Sequence, residues 1–105
     1  MNDTEFIQRV EDILMQIEES MDNQEADIDA SRAGDGILTL EFENRSQVII
    51  NRQQSNHEIW VAARSGGFHF SFQPDQNHWQ DSQNNELFTL LTKVCTEQAG
   101  EVVAL

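Results

Sequence analysis

The N-terminal segment carries apolar residues at the spacing of one helix face. They recur every three or four positions: Phe6, Val10, Ile13, Leu14, Ile17 and Met21. Polar residues fill the remaining positions, so the pattern predicts an amphipathic helix over about residues 4–21. Asn2 or Thr4 supplies the side-chain cap that such a helix needs at its start.

The middle of the chain alternates between apolar and polar residues, which indicates half-buried strands. Four strands are predicted over residues 37–42, 47–52, 58–63 and 67–72, with shorter ones over 26–31 and around 78–79. Gly34-Asp35-Gly36 and Ser65-Gly66-Gly67 are hairpin signals between them. In the strand over 67–72, the three phenylalanines share one face, while His69 and Ser71 take the other.

A second helix is predicted over about residues 85–98, with Gly100 as its C-terminal stop. The order helix, strands, helix predicts an α+β fold, a two-layer α-β sandwich with both helices on one face of an antiparallel sheet. At 105 residues this is a single domain, 1–105. The other sheet face must then meet solvent or a partner, and it displays Thr39, Glu41, Asn51, Trp60, Ala62, His69 and Ser71.

Charge changes this picture, because the first 29 residues hold ten carboxylates and one base, Arg9. The whole chain has a net charge of −13. A field of that sign repels nucleic acid and anionic membranes, so both are excluded as partners. Metal cations and basic protein surfaces remain as possible partners.

The carboxylates fall into rows that suit hard cations. Glu11, Glu18, Asp22 and Glu25 share one stripe of the first helix, Asp12 and Glu19 form a parallel row, and Asp27 and Asp29 follow where the helix ends. Oxygen ligands of this kind predict weak and unselective metal binding. The alternative is a solvated acidic face that only keeps the protein soluble. A calcium loop starting at Asp27 is excluded, because Arg32 and Leu38 stand where glycine and glutamate are required.

Catalytic chemistry finds little support. The one cysteine, Cys95, lies on the apolar face of the second helix, and the three histidines lack ligand spacing. The chain is therefore predicted not to be an enzyme. A single cysteine and an acidic N-terminus without an apolar segment favour the cytoplasm. On the sheet, Trp60 near Arg52 is either an exposed anchor for a partner or an ordinary strand tryptophan partly covered by its neighbours.

Several segments together resemble the bacterial frataxin (CyaY-type) family over essentially the whole chain. They are MNDTEF at the start, then IEESMD, GILTLEFEN, VIINRQ, IWVAA, GGFHF and QAGEVV. The resemblance implies an α-β sandwich that binds iron (Fe²⁺ or Fe³⁺) weakly. It also implies a role in iron–sulfur cluster assembly, through docking on the cysteine desulfurase and its scaffold protein.

Site residues are carried over from the resemblance by position. The implied metal ligands are Glu11, Glu18, Glu19, Asp22, Asp27 and Asp29. The implied partner surface is Glu18, Glu19, Asp22, Asn51, Arg52, Gln53 and Trp60. Asn23, Gln24 and Ala26 are neutral where relatives often keep acids, which leaves the acidic surface sparse at its centre.

The sequence thus predicts an iron-binding regulator or iron supplier for cluster assembly, expected to be a monomer that metal could bring into oligomers. A second hypothesis is an acidic DNA mimic, or another charge-based inhibitor without a metal role. A third, an iron-oxidising enzyme, lacks histidine ligands. A pull-down separates the first two, since one should recover a desulfurase and the other a nucleic-acid-binding protein.

Overall fold

The computed structural model describes residues 1–105. Helix α1 spans Asp3–Asp22, and helix α2 spans Leu87–Ala99. Six strands lie between them: β1 (Ile28–Arg32), β2 (Ile37–Phe42), β3 (Gln47–Gln53), β4 (Glu58–Ala63), β5 (Gly66–Gln73) and β6 (His78–Gln80), with a short 3₁₀ turn at Gln54–Asn56. Neither helix is both long enough and apolar enough to cross a bilayer.

The six strands form one antiparallel sheet in chain order, β1 to β6, so β1 and β6 are its edges. Each strand follows its neighbour through a short turn, which is the arrangement that alternating strands and glycine-containing turns predict. Both helices cover the same face, and a single apolar core of 21 buried residues fills the space between the layers. The predicted two-layer α-β sandwich is confirmed.

Capping groups define where the helices begin and end. The Asn2 side chain accepts a hydrogen bond from the Glu5 amide at 2.8 Å, so Asn2 is the cap of α1 rather than Thr4. Helix α2 begins at Leu87, two residues later than expected, because the Glu86 carboxylate accepts from the amides of Phe88 and Thr89. Gly100 ends α2 with a φ of 73°, as predicted.

Strand β1 begins at Ile28, two residues later than predicted. Its first residue pairs with Phe42, the last residue of β2, so β2 offers no partner to anything before Ile28. Ala26 is buried in the core instead of lying in the strand. Sequence alternation does not show this limit, because it is fixed by the register between two strands.

Gly36 controls how closely β2 approaches β3. A Cβ at this position would lie 2.7 Å from the Arg52 Cβ, and the backbone φ of Gly36 is 74°. Its carbonyl accepts the Arg52 amide at 2.8 Å. Only glycine allows both the conformation and the contact, and the side chain of Arg52 is positioned by this close approach.

Candidate functional site

The acidic edge is the name used here for the six carboxylates Glu11, Glu18, Glu19, Asp22, Asp27 and Asp29. They lie on α1, in the segment after it, and on β1, which is the edge strand that α1 packs beside. The resemblance to the frataxin family implies a metal-binding role for these six residues. That role stays a prediction, but the structure shows how the six differ in their surroundings.

Two of the six carboxylates are already paired with a base inside the chain. Arg32, at the end of β1, donates from Nη1 and Nη2 to the two oxygens of Glu11 at 3.2 and 3.0 Å. Its Nε donates to Glu18 Oε1 at 3.0 Å. Glu11 and Glu18 are seven residues apart and so lie on one stripe of α1, which lets one planar guanidinium reach both.

The contact between Arg32 and Glu11 shifts the pKa of both groups. The hydrogen bond from Arg32 lowers the pKa of Glu11 below its ordinary value, and the hydrogen bond to Glu11 raises the pKa of Arg32. The Arg32, Glu11 and Glu18 side chains are 27%, 41% and 34% exposed, so the pairs are partly shielded from water. Two of the predicted metal ligands therefore share one positive charge from within the chain, which offsets part of their negative charge.

The other four carboxylates, Glu19, Asp22, Asp27 and Asp29, are exposed and form no ion pair. No group of three acidic, histidine or cysteine residues converges to hold a metal ion. What the acidic edge offers is a row of separate carboxylates that raise the local concentration of cations.

Asp29 lies on the opposite side of β1 from Arg32. Its neighbours Ile28 and Ala30 pack on the core, so the alternation of the strand turns Asp29 to the uncovered face. There it stands directly across from Glu41 in the register of β1 and β2. The acidic edge thus wraps around the edge strand, with helix-side and sheet-side members.

The open face is the name used here for the sheet surface that the helices leave uncovered. At its centre, the Trp60 ring stacks on His69 at 4.1 Å between centroids and 8° between planes. The indole Nε1 donates to Glu58 Oε1 at 2.8 Å. Trp60 is partly exposed, and its cross-strand neighbours are Asn51 and His69. Gln53, opposite Glu58, lies on the same face.

Comparisons with known proteins agree with this architecture. A family model described as a frataxin-like domain matches residues 1–101. The chain belongs to the frataxin-like family. The iron-sulfur cluster assembly protein CyaY of Photobacterium profundum is 48% identical, over 98% of this chain and 96% of that protein. The protein of the same name from Vibrio parahaemolyticus is 50% identical, over 98% and 97%. A solved structure of frataxin from Psychromonas ingrahamii is 37% identical and has a TM-score of 0.89, covering 99% of this chain and 97% of that one.

The four sheet residues of the partner surface that the resemblance implies do not share one face. Arg52 does not share the open face of this frataxin-like domain with Asn51, Gln53 and Trp60. Arg52 is two residues after Ile50 in β3, so both side chains point to the same face of the sheet. It also stands opposite the fully buried Ile59, so it lies on the helix-covered side. Its charge there contributes to the lowered pKa of Glu11. Consecutive strand residues point to opposite faces, so the motif NRQ cannot place all three side chains on one surface.

The three histidines lie in three separate places. His57 Nε2 is 2.7 Å from Asp3 Oδ1, and its ring stacks on Phe6. That hydrogen bond lowers the pKa of Asp3. His69 stacks on Trp60, and His78 bonds the side chain of Gln80 at 2.8 Å. Each imidazole contacts a different structural partner.

Cys95 is fully buried in α2, and burial raises the pKa of its thiol to about 12. A thiol of that kind stays protonated and unreactive at neutral pH. The sequence-based interpretation of Cys95 as a core residue is confirmed.

A groove beside the Trp60–His69 stack escaped the sequence-based prediction. It measures about 560 Å³ and is lined on one side by β5 and on the other by the loop after β6. Asp81 shapes that loop by accepting hydrogen bonds from the Gln83 and Asn85 amides and the Asn85 side chain. Partial burial would raise the pKa of Asp81, but these bonds outweigh it and the pKa is lowered. The cluster of turn-forming residues over 81–85 was the available signal.

Proposed function

We propose that this chain takes part in iron–sulfur cluster assembly as a non-catalytic protein that binds iron weakly and docks on the cysteine desulfurase and its scaffold protein. Two relatives that match almost the whole chain at 48% and 50% identity carry the name iron-sulfur cluster assembly protein. The observation that carries the proposal is that this family membership coincides with four exposed carboxylates that no base neutralises.

Iron is the cargo that suits the acidic edge. Ferrous and ferric ions accept carboxylate oxygens, and repulsion among neighbouring carboxylates falls when a cation arrives. Because the side chains stand apart and do not converge, each ion is held by few protein oxygens and keeps much of its water. Binding is therefore weak and reversible, as delivery to another protein requires.

Docking uses two surfaces with different physics. The charges of Glu18, Glu19 and Asp22 attract a basic patch on the desulfurase over a distance of about a Debye length, ~8–10 Å. Trp60, with Asn51 and Gln53 beside it, supplies a partly exposed aromatic anchor of the type that dominates binding energy once surfaces touch. Arg52, on the helix side, is assigned no contact on the open face.

Iron and the desulfurase compete for charge on the same acidic edge, so bound iron alters docking. An ion that neutralises Glu19 and Asp22 weakens the attraction to a basic patch. The measurement is the affinity of the complex with and without ferrous ion under anaerobic conditions, and equal affinities would remove the coupling.

The central experiment neutralises the acidic edge. Glu19→Gln, Asp22→Asn and Asp27→Asn together should weaken ferrous binding roughly tenfold or more, since each lost charge removes part of the Coulomb attraction. They should also flatten the salt dependence of desulfurase binding. The control carries Asp75→Asn, Glu97→Gln and Glu101→Gln, which remove the same charge from exposed positions outside the acidic edge.

Equal losses in both triple variants would show that only net charge matters. Unchanged iron uptake and unchanged complex formation in the first would contradict the proposal. Amide chemical-shift mapping with iron, and then with the desulfurase, locates both surfaces. Recovery of a nucleic-acid-binding protein in place of a desulfurase from a cell extract would favour the charge-mimic alternative.

A further inference from the structure

We propose that Arg32 is an internal counterion that keeps metal ions off Glu11 and Glu18, so that the acidic edge takes up metal at Glu19, Asp22, Asp27 and Asp29 unless Arg32 is displaced. This inference rests on the proposed iron binding and specifies how that surface is regulated. It divides the six carboxylates of the acidic edge into two that are bound by Arg32 and four that form no ion pair.

The geometry of the pair leaves little room for a metal ion. Arg32 contacts both oxygens of Glu11 and one oxygen of Glu18, at 2.9 to 3.2 Å. Of the four oxygens, Glu18 Oε2 is the one that receives no hydrogen bond from Arg32. A metal ion that coordinated Glu11 would have to share the Glu11 carboxylate with the Arg32 guanidinium. Two cations bound to the same carboxylate lie close together and repel each other.

The position of Arg32 in the fold makes it a persistent competitor. Ile28 and Ala30, on the same side of β1, pack against the core, and Arg32 pairs with the fully buried Leu38 in β2. The guanidinium is therefore tethered beside its two carboxylates at a high effective concentration, which for short tethers is on the order of millimolar or more. A weakly binding metal ion has to overcome that concentration.

Arg45 shows what an arginine without this support looks like. Its side chain is 87% exposed, and its one ion pair is a 4.0 Å contact with Glu41. A single, long and solvated contact of this kind contributes almost nothing to stability. Arg45 is therefore a matched control, because removing either arginine changes the net charge equally while only Arg32 covers members of the acidic edge.

The experiment uses Mn²⁺, a paramagnetic divalent ion that prefers oxygen ligands, and follows amide line broadening in wild type, Arg32→Gln and Arg45→Gln. In wild type, broadening should centre on Glu19 and Asp22. In Arg32→Gln it should extend along α1 to Glu11, with a Mn²⁺ affinity about fivefold to tenfold higher. Arg45→Gln should change the affinity less than about twofold and leave the pattern as it is.

Two further variants test the assignment to these side chains. Adding Glu11→Gln to Arg32→Gln should remove most of the gain, whereas Glu11→Gln alone should barely alter Mn²⁺ binding. Arg32→Lys keeps the charge but cannot form the two-carboxylate fork, so it should give an intermediate affinity. It also provides a folded comparison if the glutamine variant is poorly behaved.

The outcomes separate this inference from the proposed function. Identical Mn²⁺ affinity and broadening in Arg32→Gln and Arg45→Gln would overturn the role of Arg32 while leaving iron binding intact. Wild-type broadening as strong at Glu11 as at Glu19 would overturn it as well. A wild type without broadening at Glu19 and Asp22 would contradict the proposed function. In that case, a gain at Glu11 in Arg32→Gln would still support the counterion, and no gain would reject both.

Discussion

The acidic edge and the open face are built on different physical principles. At the acidic edge, charge is dense but each free carboxylate is exposed and unconstrained. On the open face, a single indole is held by a hydrogen bond to Glu58 and a parallel stack on His69. The first arrangement acts over a distance and tolerates geometric error, whereas the second acts only on contact and depends on shape. In the proposed docking, attraction of the partner and its selection would therefore fall to separate surfaces.

The largest effect that tests this comparison comes from the two tryptophans. Trp79 is 3% exposed and contacts Phe6 and Phe72, so Trp79→Ala should lower the free energy of unfolding by about 3–5 kcal/mol. Trp60→Ala should lower it by only about 1 kcal/mol, through the lost stack and hydrogen bond. Urea unfolding followed by far-ultraviolet circular dichroism compares the two variants directly.

Binding should show the reverse order. Trp60→Ala should weaken the desulfurase complex by about 2 kcal/mol or more, as for a buried aromatic anchor, without changing its salt dependence. A Trp60→Ala variant as unstable as Trp79→Ala would instead assign Trp60 to the core. His69→Ala serves as the control that removes the stack but keeps the indole.

Much of the fold follows from local patterns. The alternation of Leu38, Leu40 and Phe42 predicts β2, and the helical spacing of Phe6, Val10 and Leu14 predicts the buried stripe of α1; all six are buried. These elements are long and strongly patterned, so local sequence determines them. The start of β1 was wrong because it depends on where β2 ends, which is a property of the pairing between strands.

The candidate site was less predictable, since it depends on contacts between distant segments. The acids of α1 are visible in the sequence, but their pairing with Arg32 requires the register of β1 and its position beside α1. Arg32 follows Ile28 and Ala30 at alternate positions of the strand, and this spacing was the available signal that its side chain faces the helix layer. The same alternation rule would have placed Arg52 on the helix side.

A smaller effect is expected where Arg32 pairs with Glu11 and Glu18. Arg32→Gln should lower the free energy of unfolding at about pH 7 by roughly 1 kcal/mol, after allowance for solvent screening of these partly exposed groups. Because the folded pKa of Glu11 lies below its unfolded value, this stabilisation is present above the unfolded pKa and is lost as pH falls through the folded one.

Wild type and Arg32→Gln should therefore converge in stability when urea unfolding is repeated at an acid pH well below the ordinary glutamate pKa of about 4.3. Arg45→Gln should differ little from wild type at either pH, because its ion pair is exposed and long. A stability difference for Arg32→Gln that persists at low pH would show that packing of the arginine stem, and not the ion pair, stabilises the fold.

The smallest effect has the opposite sign. Asp29 and Glu41 stand directly across β1 and β2, and like charges in that position destabilise a sheet. Asp29→Asn should raise the free energy of unfolding by roughly 0.2–1 kcal/mol at low salt, and the gain should shrink as salt screens the repulsion. Asp75→Asn, in the exposed turn after β5, is the control and should change stability less.

If Asp29→Asn stabilises the chain and also weakens ferrous binding, then the repulsion between Asp29 and Glu41 is what a bound cation relieves. If it destabilises the chain, Asp29 has a structural partner, and the sheet-side part of the acidic edge does not depend on repulsion.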